Sequence, residues 1–436
     1  MQSSANSPIS PKQPVLVLTS NTAWNLAHFR APLLQAFAKR GFLLVALAPV
    51  DASVLRLQAM GCKVEPLPVP AHGRNPWADF ILFWNYLRLL RRYRPVALLS
   101  FTVKPNIYAG LAARLLGITQ LGNISGLGTA FIQGGWLGRL VQGLYRLGLG
   151  GARTVFFQNP DDRDFFLARR LVREGQAALL PGSGVDLKYF KPDLASDADL
   201  STRGVQADTS TAKGQHHGGP QAGEASEAKP PRPFVFLFIG RTLGDKGLLE
   251  LVQAMRLLGE QQPGQEATDA DAEALSATPT PRLLILGPDG GTNPTAIAPS
   301  LLAQWRQDPQ LELLGPTDDV RPYIRRADCV VLPSYREGTP RSLLEAAAMG
   351  KPLIATDVPG CRQVVQDGQN GYLCKVKDPH DLARAMRQLM QLPPETRQAM
   401  GRASRKLAED VFDENRVVQH YLDALFLESQ AGPRQS

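Results

Sequence analysis

Residues 329–345 carry the stretch that decides the fold, CVVLPSYREGTPRSLLE. The uncharged run Cys329–Leu332 predicts a short strand that is buried on both faces of a parallel sheet. A helix should follow directly, with Thr339 as its N-cap, Pro340 at its first position and an end near Gly350. A strand, a loop and a helix in this order form the repeating unit of a parallel α/β sheet.

Two carboxylates flank the predicted helix start. Glu337 lies in the loop before the helix, and Glu345 lies in the second turn. Ligands of open parallel sheets bind at the carboxyl ends of the strands, so both carboxylates can accept hydrogen bonds from sugar hydroxyls there. The free N–H groups at the helix start suit a phosphate or a sugar hydroxyl. The alternatives, for each carboxylate alone, are stabilisation of the helix dipole by Glu337 and a solvated helix face for Glu345.

A second glycine-rich loop, GRTLGDKG at 240–247, follows the apolar run Phe234–Ile239. Arg241 and Lys246 bring two cations to a helix start, and such an arrangement can hold a diphosphate. The loop does not match G-x-x-x-x-G-K-[ST], because Asp245 precedes the lysine and a glycine follows it. The alternative is an ordinary strand–helix turn that carries surface charges.

Apolar runs alternate with helical patterns along the chain, which predicts an α/β protein with two doubly wound parallel sheets facing across a cleft. The predicted strands are Val15–Ser20, Phe42–Ala48, Val96–Ser100, Ile118–Ile124, Thr154–Gln158, Phe234–Ile239, Leu283–Leu286, Cys329–Leu332 and Leu353–Ala355. The predicted divisions are a disordered tail (1–14), a first domain (15–192), a low-complexity connector (193–232), a second domain (233–410, with a disordered insert near 262–281) and a C-terminal helix and tail (411–436).

The net charge of +8 is unevenly distributed along the 436 residues. Residues 1–192 contain 22 Lys and Arg against 8 Asp and Glu, whereas residues 193–436 contain 26 against 32. Only the first half is strongly basic, so a uniform coat for nucleic acid is not expected. The basic half is expected to meet an anionic partner.

The four scattered cysteines favour reduced thiols in a cytosol over disulfides or a zinc site. No signal peptide and no membrane-spanning run are predicted. Residues 80–94, FILFWNYLRLLRRYR, predict an amphipathic helix with four arginines. This helix either packs as a surface helix on its own domain or lies on an anionic membrane surface.

Glu337 and Glu345, the upstream Arg241 and Lys246, and the block GKPLIATDVPG at 350–360 together resemble the family 4 retaining glycosyltransferases. The resemblance implies a GT-B fold: two Rossmann-like domains, with the nucleotide sugar on the second and the acceptor on the first. It also implies a final helix, near residues 415–427, that crosses back to the first domain. It assigns the donor diphosphate to Arg241 and Lys246, the ribose to Glu345, and the transferred sugar to Glu337. Further contacts to the sugar and phosphate are implied for Gly338, Thr339, Pro340 and Arg341. The catalytic residues would be Glu337, Arg241 and Lys246.

Three segments of the first half, at 21–30, 101–110 and 123–131, are similar to transferases that act on polyprenyl-diphosphate-linked sugars. The acceptor-side candidates are Asn21, His28, Arg30, Lys104, Asn106 and Ser125. Ser125 stands where many members have a histidine, so a protein base is not evident. In a front-face retaining mechanism the leaving diphosphate can take the acceptor proton, and the two donor-loop cations would stabilise the charge that develops on it.

The resemblance therefore implies transfer of a hexose or N-acetylhexosamine from a UDP-sugar to a lipid-diphosphate-linked glycan, in bacterial polysaccharide or glycan biosynthesis. The expected partners are the UDP-sugar, the polyprenyl-diphosphate-linked acceptor and an anionic membrane surface, with no nucleic acid. The expected location is cytoplasmic, peripheral at the inner face of the cytoplasmic membrane. No cofactor is expected, and a metal is not expected to be required because no D-x-D motif stands in the donor loops.

Two alternatives stay open at this point. A GT-B nucleotide-sugar epimerase or hydrolase would share the fold, and a nucleic-acid-binding protein would use the basic half. A dehydrogenase is disfavoured because TSNT stands after the first strand in place of G-x-G-x-x-G.

Overall fold

The computed structural model contains two parallel β-sheets, and it describes residues 13–69, 75–126, 135–192, 232–259 and 280–426. The predicted fold class, two α/β domains with parallel sheets, is confirmed. Residues 1–12 of the predicted tail, 193–231 of the connector and most of the 262–281 insert lie outside the described residues.

The first sheet has seven strands in the order β3-β2-β1-β4-β5-β6-β7, and every pairing is parallel. Its central strands are largely apolar because helices cover both faces; Leu16, Val17 and Leu18, for example, have no exposed surface. The strands are β1 (Val15–Thr19), β2 (Leu43–Ala48), β3 (Lys63–Pro66), β4 (Ala97–Phe101), β5 (Thr119–Ile124), β6 (Thr154–Phe157) and β7 (Ala177–Leu179).

The second sheet has six parallel strands in the order β10-β9-β8-β11-β12-β13. In each sheet the strand order reverses beside the first strand, between β1 and β4 and between β8 and β11, and a ligand crevice opens at such a point. The strands are β8 (Val235–Ile239), β9 (Arg282–Leu286), β10 (Leu311–Gly315), β11 (Cys329–Leu332), β12 (Leu353–Thr356) and β13 (Gly371–Cys374).

Fifteen α-helices connect or cover these strands in the described part of the chain. They are α1 (Ala23–Phe29), α2 (Ala31–Lys39), α3 (Val54–Ala59), α4 (Pro76–Tyr93), α5 (Gly110–Leu115), α6 (Gly135–Leu149), α7 (Pro160–Ala168), α8 (Leu248–Gly259), α9 (Pro299–Trp305), α10 (Arg321–Arg326), α11 (Arg341–Ala348), α12 (Cys361–Val364), α13 (Pro379–Gln391), α14 (Pro394–Val411) and α15 (Glu414–Phe426). A π-helical turn, Pro105–Ala109, precedes α5. None of the described helices is both long and apolar enough to cross a bilayer.

The predicted final helix returns to the first domain as α15. Its residues Val417, Tyr421, Leu422 and Ala424 are buried in the core around β1, β2 and β4. The Tyr421 hydroxyl accepts a hydrogen bond from Asn123 Nδ2 at 2.9 Å. Where the chain crosses between domains, the two crossing segments pair with each other through a bridge between Val185 and Asp413. The two crossings therefore lie side by side, and we call this pair of segments the hinge.

Candidate active site

The loop after β8 and the loop after β11 meet through an ion pair. Lys246 Nζ lies 2.5 Å from Glu337 Oε1, and both side chains are largely buried. The Tyr335 N–H donates to the carbonyl oxygen of Asp245 at 2.9 Å, which fixes the two loops to each other. Arg241 is exposed on the first loop. The two strongest sequence signals, 91 residues apart, thus form one charged site.

The start of α11 differs from the prediction, and Thr339 as its N-cap is wrong. The helix begins at Arg341 with Pro340 as the N-cap residue, and no side chain caps it. Thr339 is engaged elsewhere: its hydroxyl donates to the Gln158 carbonyl oxygen at 2.9 Å, and its N–H donates to Gln158 Oε1 at 3.2 Å. A contact with the other domain therefore replaces the local cap.

The second carboxylate, Glu345, is held by Arg341 one helical turn earlier. Arg341 Nε donates to Glu345 Oε1 at 2.8 Å, and 12% of the Glu345 side chain is exposed. Burial raises the pKa of Glu345, and the Arg341 guanidinium opposes that rise. The alternative of a solvated helix face is therefore wrong for Glu345. Arg341 Nη1 also reaches across the cleft to the His28 carbonyl oxygen at 3.4 Å.

Gly338 lies at a direct contact between the two domains. A β-carbon on Gly338 would lie 1.9 Å from the Ser125 carbonyl oxygen, so the approach excludes every side chain. From behind, Gly360 packs on the Gly338 carbonyl oxygen, and a β-carbon there would lie 1.8 Å from that oxygen. The block GKPLIATDVPG thus ends in the residue that supports the donor loop. The predicted acceptor residue Ser125 and the predicted donor residue Gly338 are brought into direct contact.

Three acceptor-side candidates line the carboxyl edge of the first sheet. The Asn21 N–H donates to Thr102 Oγ1 at 3.2 Å, and Lys104 Nζ pairs with Asp79 Oδ1 at 2.7 Å. The His28 ring stacks on Trp24 with the ring centroids 4.7 Å apart. Burial lowers the pKa of His28, which favours its neutral form.

Arg30 lies between α1 and α2. Its side chain is buried, lies 4.5 Å over the Phe101 ring and donates from Nη2 to Asn123 Oδ1 at 3.4 Å. Within the described residues its Nε and Nη1 have no hydrogen-bond partner. Burial lowers its pKa. A buried cation without a carboxylate partner among these residues makes the floor of the cleft electropositive.

Asn106 and Ser125 use their side chains inside the first domain. Asn106 Oδ1 accepts from Ser100 Oγ at 2.7 Å, and its Nδ2 donates to the Asn123 carbonyl oxygen at 2.7 Å. Ser125 Oγ donates to Asn123 Oδ1 at 2.9 Å. Sequence reasoning missed Asn123, although a polar residue near the end of an apolar strand was the available signal. Asn123 joins Arg30, Asn106, Ser125 and Tyr421.

The sequence matches two family models, one in each domain. Residues 27–182 match the model described as "Glycosyl transferase 4-like domain", and residues 222–407 match the one described as "Glycosyl transferases group 1". This chain belongs to the glycosyltransferases. The resemblance to family 4 that the two acidic positions suggested is thereby confirmed, and so is its GT-B fold.

Individual proteins are similar to this chain over more than nine tenths of its length. The N,N'-diacetylbacillosaminyl-diphospho-undecaprenol alpha-1,3-N-acetylgalactosaminyltransferase of Campylobacter jejuni is 24% identical over 413 residues, which cover 92% of this chain and 96% of that protein. A glycosyltransferase from Rickettsia africae has a similar structure, with a TM-score of 0.68 at 15% identity over 96% of this chain and 99% of that one. Alr3699/HepE from Anabaena, solved with UDP-glucose, has a TM-score of 0.68 at 15% identity over 94% and 99%.

Proposed function

We propose that this glycosyltransferase moves a hexose or N-acetylhexosamine, with retention of configuration, from a UDP-sugar to a lipid-diphosphate-linked glycan in bacterial polysaccharide or glycan biosynthesis. One observation carries the proposal: the charged donor loops and the acceptor-side loop at Ser125 meet at Gly338, in one cleft. The name of the Campylobacter relative, which specifies a diphospho-undecaprenol acceptor, supports the acceptor class.

The donor would lie across the carboxyl ends of β8 and β11. Arg241 and Lys246 would face its diphosphate, since they provide a planar cationic fork and a point charge beside a helix start. Glu345 would accept the ribose hydroxyls and Glu337 a hydroxyl of the transferred sugar. The N–H groups of Gly338 and Arg341 would support the sugar and phosphate, with Thr339 and Pro340 shaping the helix start.

The transfer itself needs no protein base in this proposal. The bond between the sugar anomeric carbon and the diphosphate oxygen breaks, and a bond to the acceptor hydroxyl oxygen forms on the same face. The acceptor proton passes to the leaving diphosphate, whose growing charge Lys246 and Arg241 stabilise. We include no cofactor and no required metal in this scheme, and addition of EDTA is expected to leave the rate unchanged.

The acceptor would enter over the first domain, where Asn21, His28, Lys104 and Ser125 lie along the rim and Arg30 and Asn106 lie beneath it. The buried guanidinium of Arg30 gives this floor a positive potential that attracts a diphosphate. Lys104 is tied to Asp79 in the first turn of α4. The amino end of α4 therefore stands beside the acceptor side of the cleft.

The outer face of α4 supports a peripheral membrane location at the inner face of the cytoplasmic membrane. The helix buries one side, through Leu82, Tyr86 and Leu90, and packs on its own domain. The opposite side exposes a single stripe with an aromatic half followed by a cationic half: Trp77, Phe80, Ile81, Trp84, Arg88, Arg91 and Arg92. Interfacial helices combine these two residue classes, apolar groups for the acyl boundary and cations for anionic head groups.

A donor screen tests the proposed reaction. The purified chain is incubated with a series of UDP-sugars and a membrane extract that contains lipid-linked acceptors, and UDP release is measured. We expect UDP release with one class of UDP-sugar. This release should depend on the membrane extract and should be lost in Glu337→Gln. UDP release without any acceptor would favour a hydrolase or epimerase instead. Binding of UDP with no turnover of any donor would refute the transferase.

A further inference from the structure

The donor loop Arg336–Thr339 is held by side chains of the opposite domain. The Arg336 guanidinium pairs with the Asp162 carboxylate near the start of α7. Asn159 Nδ2 donates to the Gly338 carbonyl oxygen at 3.2 Å. Together with the two hydrogen bonds between Thr339 and Gln158, these contacts engage the loop on both sides of Glu337. We call the four-residue set Gln158, Asn159, Asp162 and Arg336 the interdomain latch.

Asp162 is the centre of the latch and has no exposed side-chain surface. Asn159 Nδ2 donates to Asp162 Oδ2 at 3.1 Å, and the Asp162 N–H donates back to Asn159 Oδ1 at 2.8 Å. Burial raises the pKa of Asp162, and Arg336 opposes that rise. A buried carboxylate is strongly unfavourable once its cationic partner is removed. The charge of Asp162 is thus matched by a residue of the other domain.

The contact surface around the latch is not a continuous apolar core. A groove of about 500 Å³ borders Gln158 and Asn159 and extends to Phe412, next to the hinge. Domains joined by small polar interfaces are expected to move relative to each other. Two crossings of the chain, paired through Val185 and Asp413, connect the described parts of the domains behind this groove. The latch is therefore the polar contact that fixes the donor loop when the cleft is closed.

We propose that Asp162, with Asn159, is a positioning residue: it closes the cleft by holding Arg336 and Gly338 and thereby orients Glu337 toward the donor. The orientation of Glu337 toward the donor rests on the proposed function, whereas closure of the cleft by Asp162 does not. A second interdomain pair, Arg362 Nη1 to Asp161 Oδ1 at 3.3 Å, is exposed on both sides and contributes little.

The test compares Asp162→Asn with Asp161→Asn, a matched control that removes a neighbouring carboxylate from the exposed interdomain pair. Small-angle X-ray scattering of the chain alone measures closure. We expect the Asp162→Asn radius of gyration to rise by roughly 1 Å above a wild-type value of roughly 22 Å, estimated from chain length. The control is expected to match wild type. Equal scattering of both variants and wild type would overturn the closure, whatever reaction the enzyme performs.

Kinetics test the positioning of Glu337. With the donor identified by the screen, kcat/KM of Asp162→Asn should fall about 10- to 100-fold, because a displacement near 1 Å suffices for such a loss. The donor KM is expected to rise more than kcat falls. Arg336→Lys, which keeps the charge, should retain more activity than Arg336→Ala at equal folded fraction by circular dichroism. If Asp162→Asn does not fold, the comparison of Arg336→Lys with Arg336→Ala tests the positioning role instead. Equal activity of these two variants would overturn that role.

Discussion

The donor loops and the acceptor-side loops use charged and polar residues in opposite ways. On the donor side the predicted side chains pair with each other, Lys246 with Glu337 and Arg341 with Glu345, in a partly open cleft. On the acceptor side a predicted residue such as Asn106 is fully buried and bonded within its own domain. Substitution is therefore expected to reduce activity on the donor side and stability on the acceptor side.

The largest expected effect concerns Glu337. Glu337→Gln keeps the shape but removes the charge that holds Lys246, so kcat should fall about 100-fold or more, through lost positioning at the reacting centre. The melting temperature should change little, because the glutamine side-chain oxygen can still accept a hydrogen bond from Lys246 Nζ. Turnover and thermal unfolding are measured together. Glu409→Gln, which removes an exposed partner of Arg405, is the control, and full activity of Glu337→Gln would contradict the donor assignment.

The converse is expected for Asn106. Asn106→Ala leaves Ser100 Oγ and the Asn123 carbonyl oxygen without their buried partner, so the free energy of unfolding should fall by about 2 to 4 kcal/mol. Chemical denaturation measures it. Asn415→Ala, at an exposed site where the side chain bonds to Asp413, should change it by less than about 0.5 kcal/mol. If Asn106→Ala folds as stably as wild type but loses activity, the contrast between the two regions is wrong.

The aromatic half of the α4 stripe should control membrane partition. Trp77→Ala with Trp84→Ala removes two large exposed apolar side chains and should weaken binding to anionic vesicles at least tenfold, at about 1.5 kcal/mol or more per side chain. Arg88→Gln should cost about 1 kcal/mol and make binding less sensitive to salt. Vesicle co-sedimentation measures both. Leu140→Ala, an exposed apolar residue on α6, is the control; unchanged sedimentation of the double variant would exclude α4 as the contact.

The smallest expected effect is a pH dependence at the hinge. Burial raises the pKa of Glu414 to about 7, and Asp186 and Asp413 add to the rise. Because the folded state binds this proton more tightly than the unfolded state, the associated stability is present below pH 4.5 and is lost as the pH rises toward 7. Glu414→Gln should therefore flatten the melting-temperature profile and gain about 1 kcal/mol at pH 8 after allowance for solvent screening. A profile parallel to wild type would contradict the shift.

The sequence predicted nine strands, and the structure has all of them. The four strands it missed, Lys63–Pro66, Ala177–Leu179, Leu311–Gly315 and Gly371–Cys374, are the four sheet edges. Three of these edge strands, β3, β7 and β10, have at most one buried residue each, and an exposed strand need not carry the continuous apolar run of a strand covered on both faces. The fourth, β13, is mostly buried but is only four residues long and begins with a glycine. Periodicity therefore detects the centre of a parallel sheet better than its borders.

The candidate site shows a similar difference, between residues that have a local sequence signal and residues that do not. Lys246 and Glu337 stand out in the sequence because charged residues next to glycines at strand ends have few structural reasons to be there, and the structure pairs them. Thr339 was predicted as a local cap, but a partner 181 residues away in sequence took its hydroxyl. Asn159 and Asp162 also form an ordinary helix start, with Asn159 as the N-cap. Interdomain contacts leave no local pattern, so sequence reasoning missed them.

The return of α15 has a consequence for the order in which the protein is made. The core of the first domain includes Tyr421 and Leu422 from the last helix. At a synthesis rate of about 5 to 20 residues per second, the ribosome needs roughly 10 to 50 s to go from the last strand of that domain to its closing helix. During this interval the second domain can fold completely. The first domain to be synthesised is thus the last to complete its core. The hydrogen bond from Asn123 to Tyr421 can form only after α15 has been synthesised.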